Sequence, residues 1–428
     1  MMKSFFTFLS IVLFITSGIC QIDLERALFD LKGVSFEKIN TAKGFESSYL
    51  LSIKQPIDHN DASKGHFYQK VYLNHKNMDS PTVLVTEGYS RSTNRIYEIS
   101  EFIDGNQITV EHRYFGNSMP DTLDYKYLNF EQVTADLHAI NVLMREIYRG
   151  RFLATGISKG GTTTIFYRYF YPEDVDVSMP YVAPLNYSAE DKRIYEFLNG
   201  VGTEECRMSI RDFQLRVLEN RDYILDRLKW FAKGRNLEFN YLNLDEAFEY
   251  AVLEYPFSLW QWGVDCAQVP DSVASDDEDL DHLLEVSGIE FFADASMDAF
   301  SSHYYQSGTE MGYYGYEVKP FKGLLPALGD DKNPSAVFPP NKMEVRWNGE
   351  LTNKVAEWIK KEGNNFIYIN GLNDTWSATR VPISEEVNSV WFNLENQSHG
   401  SARISNFNED QKELLKTTLE DWLGLVEK

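Results

Sequence analysis

Apolar residues in the first half of the chain fall in short runs whose period switches between two and about four. Residues 66–75 (HFYQKVYLNH) and 81–87 (PTVLVTE) have the β-branched and aromatic content of strands, and 107–115 (QITVEHRYF) predicts a third. The period then becomes helical. Val133, Leu137, Ile140, Leu143 and Ile147 recur behind Asn129 as N-cap and Gln132 at N3. Residues 152–156 (FLATG) predict a compact strand, 161–171 a helix, and 176–184 (DVSMPYVAP) the next strand. Such alternation implies a mostly parallel sheet covered by helices on both faces.

From about residue 188 helical patterns dominate, over 191–232, 244–255 and 279–287. An acidic run at 276–281 interrupts them and reads as a solvated loop; it lacks the spaced ligands and central glycine of a calcium loop, so no metal is expected. Alternation returns at 365–371 (NFIYING) and 389–395 (SVWFNLE), before a closing helix over about 409–426; Pro339-Pro340 predicts a turn back into the sheet. The expected architecture is an α/β-hydrolase fold in two parts, 21–187 and 301–428, around a helical cap at 188–300.

Residues 1–20 stand apart. Lys3, an apolar run from Phe5 to Ile15, and Gly18 and Cys20 at positions −3 and −1 predict a signal peptide cleaved before Gln21, hence a secreted or periplasmic protein. A lipoprotein signal on Cys20 is the rival reading, and Ile19 fits lipid attachment poorly. No later stretch approaches the roughly 20 apolar residues of a membrane span. Cleavage leaves Cys206 and Cys266, an even pair that predicts a disulfide in an oxidising compartment, two buried thiols being the alternative. With 64 acidic against 41 basic residues the net charge is −23, which argues against nucleic acid and anionic membranes as partners. No motif calls for a cofactor, and the oligomeric state is left open.

The chemistry-bearing motif is Gly156-Ile157-Ser158-Lys159-Gly160, a G-x-S-x-G between a predicted strand and a predicted helix. A serine on so sharp a turn needs small neighbours, and the following helix aims its N-terminal N–H groups at the same spot. A glycine-rich surface turn is the plainer alternative. A nucleophilic serine needs a base, and the base an orienting carboxylate, in the chain order Ser, acid, His. Three histidines follow Ser158. His282 and His303 fall in or near the cap and read as structural or surface residues, whereas His399 sits in the loop after the last strand. Asp374 follows the preceding strand; Glu395 is the competitor, with poor reach to a base four positions on. The Lys159 N–H and a backbone N–H at Gly88 or Tyr89, after the strand at 81–87, are the expected oxyanion donors, an ordinary strand-ending turn being the alternative for the latter.

QPIDHND (55–61), TEGY (86–89), HRYFG (112–116), GISKGGTTT (156–164), YYQSGTEMGYYGY (304–316), NGLNDTW (370–376) and SHGSARI (398–404) together resemble the secreted bacterial prolyl tri- and tetrapeptidyl aminopeptidases. More distantly they resemble the lysosomal Pro-Xaa carboxypeptidase and dipeptidyl peptidase II group, which has proline where this chain has Thr375. The resemblance spans about residues 50–405 and is loosest in the cap. It implies a serine exopeptidase acting on oligopeptides and releasing short N-terminal peptides that end in proline, with Ser158 as nucleophile, Asp374 as acid and His399 as base. A proline ring is well held by aromatic faces, for which Trp260, Trp262, Tyr304, Tyr305 and Tyr313 are candidates, simple core being the alternative for each. A free substrate ammonium needs a carboxylate: Glu310, set in the aromatic run, or Glu87 or Glu111, each equally readable as a structural ion-pair partner. Two other readings are an esterase or lipase using the same triad and a non-catalytic peptide-binding protein on the same fold. A panel of short-chain esters beside peptides separates the first; the filled triad positions and the absence of an HGGG-type loop weigh against them.

Overall fold

The computed structural model describes residues 24–425. The signal peptide expected at 1–20, with Cys20 and the expected cleavage before Gln21, lies outside the described residues. Among the described residues nine strands run in the sheet order β1-β2-β3-β5-β4-β6-β7-β8-β9. They are β1 (Val34–Ile39), β2 (Ser47–Pro56), β3 (His66–His75), β4 (Thr82–Thr86), β5 (Asn106–Val110), β6 (Phe152–Ile157), β7 (Val177–Tyr181), β8 (Ile367–Gly371) and β9 (Val390–Leu394). The described residues group into two compact units: 24–156, 163–178 and 415–425 in one, and 157–162 and 179–414 in the other.

In the first unit β1, β2, β3 and β5 pair antiparallel, and β4 lies parallel between β5 and β6. Strands β1 and β2 are additions to the elements expected from sequence; β1 is a short edge strand with no fully buried residue. Helix α1 (Phe130–Arg145) starts where its cap predicts, the Asn129 side chain accepting from the Gln132 N–H. Its Leu137, Ile140 and Met144 join Val71, Leu84, Ile108 and Ala154 in the core.

Strand β5 ends at Val110, five residues short of the predicted 107–115. Tyr114 takes φ +66°, which no strand tolerates, and the Glu111 carboxylate gathers the turn by accepting from the N–H groups of Arg91, Asn117 and Ser118. Two motifs of the resemblance meet here. Arg113, fully buried, donates from Nε and Nη2 to Asp136, from Nη2 also to the Pro56 carbonyl and from Nη1 to the carbonyls of Ile57 and Tyr127, while His59 Nε2 lies 2.7 Å from Asp136 Oδ1. HRYFG and QPIDHND are thus two halves of one buried, saturated ion-pair network, a scaffold feature.

In the second unit β7, β8 and β9 are parallel, with Tyr181 opposite Ile369 and Ile367 opposite Val390. Helix α2 (Lys159–Phe170) leaves the Ser158 turn two residues earlier than 161. The long helical stretch resolves into α3 (Arg193–Gly200), α4 (Glu204–Glu219), α5 (Arg221–Arg235), α6 (Leu244–Trp262), α7 (Asp276–Ser287) and α8 (Asp294–Gln306). The acidic run is not a loop. It opens α7: Ser275 and Glu278 form a capping box, four acidic side chains occupy the positive first turn, and Asp279 is buried against Arg216. Pro339-Pro340 leads into a short turn at Pro340–Lys342 and then into α9 (Glu350–Glu362), so a helix precedes the return to β8. The closing helix α10 spans Glu409–Leu423. Cys206 and Cys266 form a disulfide joining α4 to the turn beyond α6, their Cα atoms 5.5 Å apart.

Candidate active site

Ser158 stands between β6 and α2 with φ +59°, a left-handed conformation that costs an L-residue roughly 1–2 kcal/mol. Two backbone bonds hold it there: the Ser158 N–H donates to the Tyr181 carbonyl on β7 (2.9 Å), and the Ser158 carbonyl accepts from Thr162 (3.0 Å). Thr162 Oγ1 in turn donates to the Pro184 carbonyl. The serine is half-exposed, whereas its neighbour Lys159 is buried.

The loops after β8 and β9 carry Asp374 and His399. They approach so closely that a Cβ on Gly371 would lie 2.3 Å from the Gln397 carbonyl oxygen, so only glycine fits there. The N–H groups of Leu372 and Asn373 bond to the Leu394 and Gln397 carbonyls, locking one loop on the other. His399 Nδ1 then lies 2.7 Å from Asp374 Oδ2. A carboxylate only accepts, so Nδ1 carries the proton and Nε2 is the free acceptor. Asp374 Oδ1 is used separately, accepting from the Trp376 N–H as the cap of the following turn. Both side chains are buried.

The other singled-out residues divide by unit. In the first, Gly88 is buried and Tyr89 half-buried, its carbonyl accepting from the His112 N–H. Glu87 is engaged by Arg91 through Nε and Nη2, each at 2.7 Å, and by the Tyr97 hydroxyl at 2.6 Å. Glu111 is committed to its turn as described. In the second, Glu310 lies on a π-turn (Ser307–Met311) that extends α8, a local widening frequent at functional sites. It accepts from Gln306 Nε2. Burial holds the Lys159 ammonium pKa well below the usual lysine range, against the opposing pull of the Glu310 charge. Burial, with the Lys159 charge behind it, likewise holds His303 well below the usual histidine range, so His303 is neutral at pH 7. His282 is a structural residue bonded to the Tyr255 hydroxyl.

Of the aromatic candidates, Tyr313 packs on Trp376, the residue two beyond Asp374, with ring centroids 5.3 Å apart. Phe257 and Tyr314 complete that aromatic group; the sequence reading singled out neither. Trp262, 59% exposed, sets its ring edge-to-face with His399 at 6.1 Å. Trp260 is buried and lines a cavity of about 150 Å³ with Leu198, Ile210, Phe257, Tyr314 and Phe321. Tyr304 is core, packed on Phe338, and Tyr305 is half-buried.

Beside this aromatic group Glu254 is buried, accepting from Ser258, Tyr314 and Tyr316 hydroxyls. Burial pushes its pKa up to about 7, and the three hydroxyls oppose that only in part. A carboxyl whose folded pKa exceeds its unfolded value binds its proton more tightly when folded. Its contribution is therefore complete below about 4.5 and lost as pH rises to about 7, on the order of 3 kcal/mol. Glu254→Gln is expected to flatten the fall of Tm over that window, measured by calorimetry; an unchanged slope would remove Glu254 as its source.

The strained serine elbow, the mostly parallel sheet and the His–Asp pair on the last two strand loops define a serine enzyme of the α/β-hydrolase fold. Residues 19–428 match the family model described as PS-10 peptidase S37, and the chain belongs to that family. It is a serine peptidase. It is 31% identical over 415 residues to a prolyl tri/tetrapeptidyl aminopeptidase from Streptomyces mobaraensis, covering 95% of this chain and 86% of that one. A prolyl carboxy peptidase like protein from Caenorhabditis elegans is 25% identical over 45% of this chain and 42% of its own. Among solved structures, a proline iminopeptidase from Mycobacterium smegmatis is 13% identical with a TM-score of 0.40, covering 87% of this chain and 98% of that one. Among the described residues no helix is long and apolar enough to cross a membrane.

Proposed function

We propose that this chain is an exported serine exopeptidase releasing short proline-ended peptides from the N-terminus of oligopeptides through an acyl-enzyme on Ser158. The observation that carries the reading is the buried Asp374–His399 pair, whose geometry leaves Nε2 free to take a proton. His399 Nε2 removes the Ser158 proton as Oγ attacks the carbonyl carbon of the substrate's proline. The same proton passes to the leaving amine as the C–N bond breaks. Water, deprotonated by His399, then hydrolyses the ester and restores Ser158. The Lys159 N–H, at the start of α2, is an oxyanion donor. The prolyl preference rests on the name of the Streptomyces relative and on the aromatic group around Trp376.

Glu310 is the carboxylate we assign to the substrate ammonium, on its place in the π-turn of the aromatic run, whereas Glu87 and Glu111 are built into their own turns. Glu310→Gln is expected to lower kcat/KM for free-amine peptides about 10- to 100-fold, the value of one charge-assisted hydrogen bond, and to leave N-blocked peptides within a few-fold. Equal losses on both would remove that role. The substrate class is tested with a mixed peptide library and the purified mature enzyme, reading cleavage positions by mass spectrometry. Cuts predominantly after proline, two to four residues from a free N-terminus, are expected. Internal cuts unrelated to proline would overturn the reading.

A further inference from the structure

The acid and base loops share a support that neither loop sequence announces. Pro256 interrupts α6 and has no N–H for the Val252 carbonyl; Gln214 Nε2 fills that place at 2.7 Å, so the helix continues past its proline. The next turn then offers two backbone carbonyls four residues apart on one face. The Phe257 carbonyl accepts from Thr375 Oγ1 at 2.9 Å, and the Gln261 carbonyl accepts from the His399 N–H at 2.9 Å. Thr375 immediately follows Asp374 and is fully buried. Gly263 ends the helix at φ +73° and lets the base loop come close: a Cβ there would lie 2.9 Å from Ser398 Cβ.

We infer that Thr375 is a positioning residue for the reaction proposed above, its hydroxyl seating the acid loop on the helix turn that also holds the base loop. The role rests on that reading of the site. The main chain of His399 is fixed to α6 directly, whereas on the acid side the hydrogen bond to that turn comes from the Thr375 side-chain hydroxyl, beside the edge-to-face contact of Trp376 with Phe257. Misplacing catalytic groups by a fraction of an ångström slows turnover more than it weakens binding.

The test uses the mature enzyme and a proline-ended tripeptide amide. Thr375→Val keeps the shape and removes the donor; Thr375→Ser keeps the donor. Thr375→Val is expected to lower kcat per titrated active site about tenfold with KM within twofold, and Thr375→Ser to restore kcat. Thr375→Ala serves if the valine variant does not fold, with the same split expected. The downfield Nδ1 proton of the Asp374–His399 pair, assigned by its loss in His399→Ala and read without substrate, should shift in the valine or alanine variant and return in the serine one. An unmoved proton, or wild-type kcat per active site, would overturn the inference. Ser158→Ala retaining turnover would instead overturn the proposed reaction, and the proton would still decide the part played by Thr375.

Discussion

Ser158→Ala is expected to lower kcat on a proline-ended tripeptide amide by about 10⁶-fold and to end labelling by a fluorophosphonate. The size follows from how the site divides its work. In the proposed reaction the base, the acid and the donors around the carbonyl act on one oxygen nucleophile, and without it they have nothing to activate. The variant should otherwise be the same protein. Alanine keeps the Cβ, so the left-handed turn at φ +59° carries the same strain, and the bonds that hold it, to Tyr181 and from Thr162, are backbone bonds. Tm is therefore expected within about 2 °C of wild type, a change on the order of 1 kcal/mol at most in a chain of this size. Persistent labelling of the variant would transfer the nucleophile's role to another residue and sink the assignment.

The elbow could be read from sequence because its requirements are local: an apolar strand, small residues around the serine, and a helix behind it, all within some 20 residues. The Asp374–His399 pair was legible for a different reason, since chain order and strand positions leave few candidates. What escaped is long-range. Asp279 is tied to Arg216, 63 residues away, and this converts an acidic run that looks like a solvated loop into the start of a helix. A local signal was present there, Ser275 three residues before Glu278. Glu87 and Glu310 look alike as isolated carboxylates. The first meets Arg91 four residues on, while the second interacts electrostatically with a buried lysine 151 residues back in the chain, a difference that no local pattern encodes. The aromatic run at 304–316 predicted a wall but not its members. Tyr304 faces the core, whereas Tyr313 and Tyr314 meet Phe257 and Trp376 from other segments.

Asp374→Asn is expected to cost about 10⁴-fold in kcat while leaving the fold intact, because the two carboxylate oxygens have separate duties. Oδ1 accepts from the Trp376 N–H and caps the turn at Thr375–Thr379; Oδ2 accepts from His399 Nδ1. Asparagine is as good a cap as aspartate, so its carbonyl keeps the first bond and its amide nitrogen takes the second position. That nitrogen donates. It therefore favours the imidazole with Nδ1 bare and the proton on Nε2, where it can no longer take the proton of Ser158. Asp374→Ala loses the cap as well, so it should match the asparagine variant in rate yet be less stable by about 1 kcal/mol, the usual cost of a lost cap. Steady-state kinetics and thermal unfolding of both variants test the division. An asparagine variant with near wild-type kcat would mean that the carboxylate does not set the tautomer of His399, and a lowered Tm in that variant would mean that its two oxygens are not used independently.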